Sequence, residues 1–459
     1  MRGARRVWAG LLGGAARAEP HGAHERRRRR DRGIALITAV LSIAVLTALI
    51  ADFSYATLVE HQSAANTRDQ LRAEYAARGV VNLSRLVIKV QQSVIDKFRN
   101  QIGDFQLSSM SGPLLSLFAG KKEEAEGIGA MVGIDTRGIK GIGLRSDIDV
   151  DLNITSDDGR INVNCGGGFS SPNAQNQQWL ALSLYALLYS PQYNRLFELP
   201  DADGQYTTRE ELVRAIIDWS DGDDRAFDLS QVPGLQALGS TGGASEDYRY
   251  DARRDPYRAH NNYFDSLDEL HLVKGFSDDF MATFGGTLTV YGGCKINLSA
   301  MGDLPMLAKV AVARAMMSSA IKNPSDPGLA EPNATTLAIY VARELDFRAT
   351  SFAPLSDPNE LARMFKDPLN NLTSLRLASG PPPSIIGVDL DPARLGAMVQ
   401  APQGQQFSRR IYRIEARADV GKVKHKIVAV WDSRKIKQFT ANPDKPSDAM
   451  GSWVYWREE

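Results

Sequence analysis

The longest uninterrupted apolar pattern runs from Ile34 to Ala51, eighteen residues without a charge. That is near the lower limit for a helix that crosses a membrane. After Asp52 the pattern changes character without a break. Leu58, Leu71, Tyr75, Val80, Leu83, Leu86, Val87 and Val90 recur at helical spacing, and no proline interrupts them. The spacing predicts one rod, apolar first and amphipathic later, continuing to about Phe98. A cleavable secretory signal has a shorter apolar core and small residues at its cleavage site, so it does not fit.

Ser108 to about Ser146 is glycine-rich and reads as loops. Residues 146–164 then alternate apolar and polar positions around Asp157–Arg160, which predicts a hairpin. Helical texture begins at Asn173 and returns after Cys294; both units open on an Ile-Asn dipeptide, a weak internal repeat. Near the C-terminus, Ile411, Ile414, Ala416 and Ala418, a tight Asp-Val-Gly-Lys turn, and Val423, Ile427, Val428 and Val430 predict an antiparallel hairpin. Strand patterns near 145 and 430 bracket a helical middle, so the middle reads as an insertion between strands of one sheet.

Charge sharpens this picture. Residues 1–33 hold ten arginines against Glu19, Glu25 and Asp31, a balance of +7, so the neutral chain carries −7 beyond Gly33. The arginine cluster holds the N-terminal side in the cytoplasm and sends the following chain across the membrane. An acidic body argues against nucleic-acid binding. Two cysteines, Cys165 and Cys294, exclude a disulfide-rich scaffold. In an oxidising compartment they either bond to each other or stand as two small core residues. No Walker A, Rossmann or G-x-S-x-G pattern occurs, and the histidines form no metal-binding pair. The chain reads as not an enzyme.

The candidate chemistry lies in acidic clusters. Asp201, Asp203, Gly204 and Glu210 match part of an EF-hand loop, but Leu199 stands where the first aspartate belongs. The stretch "DWSDGDD" crowds Asp218, Asp221, Asp223 and Asp224 behind an apolar helix, with Glu246 and Asp247 downstream. Carboxylates this close repel unless a cation or water screens them. The six acids are either a calcium cage, since that ion takes six to eight oxygens in irregular geometry, or a solvated helix end. Ser266 and Glu269 of "SLDELHLVKG" have the spacing of a capping box.

A basic leader ending in glycine before such a helix resembles the class III signal of type IV pilins and pseudopilins. "GIALITAVL", "DWSDGDD", "GGASEDYRY", "PYRAHNNYF" and "SLDELHLVKG", in this order, resemble the minor pseudopilin K family of type II secretion. The resemblance implies an α+β, pilin-like fold: a long helix on an antiparallel sheet, with a large, mostly helical insertion. It implies a leader over 1–33, a membrane and filament-core helix over 34–51, and its amphipathic continuation over 52–102. The sheet domain would begin at 103–165, the insertion with helix-hairpin-helix-like units would occupy 166–345, and the sheet domain would resume over 346–459. Prepilin peptidase would cut between Gly33 and Ile34 and methylate Ile34. Thr38 replaces the glutamate usual as fifth mature residue; either it marks a subunit with no neighbour above it, or it is a tolerated polar residue in an anchor. The family implies calcium in the insertion, and partners in the I- and J-type minor pseudopilins and an inner-membrane secretion platform. The implied role is a structural subunit at the pseudopilus tip, in the inner membrane with a periplasmic domain. A membrane-anchored periplasmic hydrolase and a DNA-uptake pseudopilin are the alternatives.

Overall fold

The computed structural model describes residues 21–93, 95–98, 105–112, 114–115, 147–167, 173–200, 204–240, 243–251, 255–351, 355, 357–376, 384–400, 409–433 and 451–459. In chain order its principal elements are α1 (His21–Ser93), β1 (Ile148–Ser156), β2 (Ile161–Asn162), α2 (Ala174–Leu188), α3 (Arg209–Ser220), β3 (Leu288–Thr289) and β4 (Ile296–Asn297). There follow α4 (Met306–Ala320), α5 (Asn333–Thr350), α6 (Pro358–Lys366), α7 (Pro392–Met398), β5 (Val399–Gln400), β6 (Ile411–Val420), β7 (Val423–Asp432) and β8 (Ser452–Glu458).

The described residues up to Leu71 and those from Arg72 onward form two separate units. In the first, α1 contains a segment apolar and long enough to cross a membrane, and that segment is fully exposed. Its polar side chains are satisfied within the helix, as an apolar surround demands. The Thr38 hydroxyl donates to the carbonyls of Ile34 (3.1 Å) and Ala35 (3.0 Å). Ser42 and Thr47 each donate to the carbonyl four residues back, at 2.8 Å.

In the second unit the rest of α1 lies on a four-stranded antiparallel sheet of order β1-β6-β7-β8. Ala73, Ala76, Ala77, Val80, Val81, Leu83, Val87 and Ile88 are buried at helical spacing; most of them pack on Leu152, Ile154, Ile414, Ala416, Ala418, Ile427 and Ala429. Leu71, Tyr75 and Leu86, expected on the apolar stripe, are exposed. The alanines on both surfaces bring the backbones close, so the buried stripe follows small residues and not the bulkiest ones. Gly421 (φ 60°) opens the β6–β7 turn in the left-handed conformation that such hairpins require. β8 adds a strand the sequence pattern did not show; it sets Trp453 edge-on against Trp431, 4.5 Å between centroids.

The insertion leaves the sheet after Ser156 and returns at Ile411, and Ser156 is paired with Tyr412. Asp157–Arg160 is therefore not the turn of a hairpin. β1 pairs antiparallel with β6, while β2 pairs in parallel with β3 in a separate small sheet. The aspartates serve the distant strand: Asp158 Oδ2 accepts from the backbone N–H of Arg410 (2.5 Å) and Ile411 (3.0 Å).

The two Ile-Asn units are structurally alike. Each is a two-residue strand in a parallel pair, followed by a 3₁₀ turn and a fifteen-residue helix. Asn162 and Asn297 cap the turns by accepting from the N–H two residues on. α2 and α4 bury Leu180, Leu184, Val312 and Met316 in one core. That core starts at Ile161, not 166, and continues through Phe365, Leu395 and Val399. The boundary expected between 345 and 346 falls inside α5, because α6, α7 and the β4–β5 pair close the same core.

Candidate metal centre

α3 begins at a capping box: Thr208 accepts from the N–H of Glu211, whose carboxylate accepts from the N–H of Thr208. Its buried face carries Leu212, Val213, Ile216 and Ile217 into the core, and this phase turns Asp218 inward too. The helix ends at Ser220, and Asp221 follows as its C-terminal cap. The returning chain is then zipped to residues 244–246. Arg225 and Ser245 form an isolated bridge, and the N–H of Ala226 donates to the carbonyl of Ala244 at 2.9 Å. This brings Glu246 over the helix end.

Asp218, Asp221 and Glu246 thus converge, each only 2% exposed. One ligand oxygen from each lies within 4.8 Å of the others. Asp218 Oδ1 accepts from the N–H of Phe227 at 2.7 Å, and Asp221 Oδ2 accepts from Gln177 Nε2 at 3.3 Å. Asp221 Oδ1 and both oxygens of Glu246 are buried without a hydrogen-bond donor. Burial, then repulsion from neighbouring acids, pushes both carboxyls well above the ordinary carboxylate range: Asp218 and Asp223 act on Asp221, and these two with Asp221 act on Glu246. Such a group holds protons or a cation.

The donor set fits calcium. Two oxygens on opposite sides of one calcium ion lie about 5 Å apart, so three oxygens within 4.8 Å of one another are close enough to share one ion. Among the described residues neither histidine nor thiolate takes part, so the donor set is of the hard-oxygen kind that suits calcium. When bound, the ion would supply the positive charge that these carboxylates lack.

The other expected ligands fall outside the cluster. Asp223 Oδ1 accepts from the N–H of Arg225 and Asp224 Oδ1 from Asn261 Nδ2, and both residues are exposed. Asp247 Oδ1 accepts from the N–H of Ala259 at 3.1 Å. Gly204 is exposed and Glu210 lies in the first turn of α3; Asp201 and Asp203 are outside the described residues.

Glu269 has a role that its spacing did not reveal. Ser266 makes no side-chain cap. Glu269 instead accepts from Trp219 Nε1 (2.9 Å) and from the N–H of Asp265 (2.9 Å), and lies 2.8 Å from His260 Nδ1. Trp219 packs against Tyr250, Tyr257 and Phe264. Four sequence segments therefore meet behind the carboxylates, which gives their co-occurrence a physical basis. Behind the cluster Cys165 and Cys294 form a disulfide, with Cα atoms 5.5 Å apart.

Residues 159–293 match the family described as type II secretion system (T2SS), protein K. The match contains all six acids and Glu269. A solved structure, the GspK-GspI-GspJ complex from the enterotoxigenic Escherichia coli type 2 secretion system, is similar at 12% identity and a TM-score of 0.34, over 69% of this chain and 81% of that one. No curated protein matches. Residues 159–293, which lie between two strands of an antiparallel sheet, are thus similar to the type II secretion protein K family.

Proposed function

We propose that the protein is a minor pseudopilin at the tip of a type II secretion pseudopilus, where it initiates filament assembly and supports export of folded proteins. One observation carries this reading: a region similar to protein K is inserted in a sheet whose supporting helix also contains a membrane-length apolar segment. Prepilin peptidase would cut between Gly33 and Ile34, leaving Ile34 as the methylated N-terminus. Ile34–Ala51 would anchor the subunit in the inner membrane before assembly and pack in the filament core afterwards, with the rest periplasmic. Thr38 needs no compensating amine from a neighbour, because its hydroxyl is satisfied by its own helix. A buried glutamate at that place would need such a partner. Calcium would be held by Asp218, Asp221 and Glu246, and the partners would be I- and J-type minor pseudopilins and the inner-membrane platform.

The test is co-purification of the full chain, in detergent, with candidate I- and J-type pseudopilins, in calcium and in chelator. Association in calcium that weakens in chelator is the expected result. Absence of association under both conditions would overturn the tip assignment.

A further inference from the structure

We propose that the Cys165–Cys294 disulfide is a positioning element for the carboxylate cluster and so sets its affinity for calcium. The inference rests on the cation reading above. Cys165 lies in the 3₁₀ turn after β2, and Gly166 and Gly167 follow it directly. These glycines touch the end of α3 with no side chain between. A Cβ on Gly166 would stand 2.4 Å from Ser220 Oγ, and one on Gly167 would stand 2.2 Å from Asp221 Cα and 2.5 Å from its Cβ. The chain here forms a wall against the backbone of a cluster residue.

That wall is held from the far side. Asn164 Nδ2 donates to the carbonyls of Val290 (2.9 Å) and Phe264 (3.0 Å), and Asn162 Nδ2 donates to that of Gly292 (3.3 Å). The disulfide adds a covalent tie from Cys165 to Cys294, next to the same segment. Asp221 needs such a wall. Its Oδ1 and the Glu246 oxygens are buried without donors from the rest of the chain, so their side chains have no such bond to fix the spacing an ion needs, whereas the backbone of Asp221 is fixed by the wall it abuts. A site whose ligands are held in place binds its ion without first gathering them. Loss of an outer contact that orients a ligand typically costs ~10- to 100-fold in metal affinity.

The test is calorimetric titration of the calcium-free full chain in detergent with calcium chloride, for the wild type, Cys165→Ala/Cys294→Ala, and Gly167→Ala. Far-UV circular dichroism reports the fold of each. The expected result is calcium binding by the wild type and binding about tenfold or more weaker in both variants. A folded double variant that binds as tightly as the wild type overturns this proposal and leaves the cation reading intact. If the double variant does not fold, titration of the folded wild type after chemical reduction of the disulfide decides: weaker binding supports the proposal, and unchanged affinity overturns it. A wild type that binds no calcium overturns the cation reading and this proposal with it.

Discussion

Asp157 and Glu246 are both acids of the insertion, exposed by 1% and 2%. Around Asp157 the chain supplies opposite charge: Arg413 donates to both its oxygens at 3.1 and 2.9 Å, Arg160 Nε lies 3.0 Å away, and Thr289 Oγ1 donates at 3.0 Å. Burial opposes the Arg413 charge, but Asp157 outweighs it and holds the guanidinium charged. Asp303, nearby, pairs with Arg409 and accepts from the N–H of Ser156 at 2.8 Å. Around Glu246 there are acids and no donor to its side chain. A buried charge without a partner is too costly to persist. The first group balances its charge within the chain, although Arg160 Nε and Arg409 Nε make no hydrogen bond, and it fastens the insertion where it leaves and rejoins the sheet. The second is complete only with something the chain does not encode, a proton or a cation.

The largest effect should come from breaking the complete group. Arg413→Met keeps most of the volume and leaves Asp157 short of its main partner, at a cost of about 3–5 kcal/mol. Denaturant unfolding of the full chain in detergent measures it, and calcium should not restore the loss. Equal stability of wild type and variant would mean that the junction is held by packing and not by charge.

The incomplete group should respond in the opposite sense. Calcium at a hundredfold over its Kd should stabilise the wild type by about 2.7 kcal/mol relative to chelator. Glu246→Gln removes an acid that burial forces to take up a proton, and supplies an amide donor. In chelator it should unfold at higher denaturant than the wild type, and calcium should add little to it. The stability order of the two proteins therefore reverses on adding calcium. If the glutamine variant is destabilised equally in both conditions, Glu246 is only a packing residue.

The same contrast explains what the sequence disclosed. The β6–β7 hairpin was legible because it is local: alternation through most of β6, an apolar run in β7, and a glycine where the turn needs it. Asp157–Arg160 carries an equally good hairpin signal, yet its partners Arg410, Ile411 and Arg413 lie across the whole insertion, beyond any local rule. The carboxylate centre was half legible. Crowding of acids pointed to the region, but the helix phase at Asp218 and the bridge at Arg225–Ser245 decide which ones face inward. Asp223 and Asp224, close in sequence, turn outward, while Glu246 is brought in. Glu269 was hidden by its capping-box spacing. Its actual partners, Trp219 and His260, come from two other segments.

The smallest effect tests whether burial, and not arginine–carboxylate chemistry as such, gives the junction its strength. Arg78 of α1 and Glu458 of β8 form a pair like that of Arg413 and Asp157, with Arg78 Nη2 3.1 Å and 3.3 Å from the two oxygens. Trp456 Nε1 also donates to Glu458, and this bond, with Arg78, holds the carboxyl below its usual range. Their side chains remain 44% and 27% exposed, so water screens the attraction and both chains lose rotamer freedom in making it. Glu458→Gln should therefore cost less than about 1 kcal/mol. The difference should vanish near 1 M salt, where screening acts over about 3 Å. Denaturant unfolding at low and high salt measures both numbers. A loss as large as that of Arg413→Met would show that the two pairs differ little in environment, and the distinction between complete and incomplete buried charge would then need another cause.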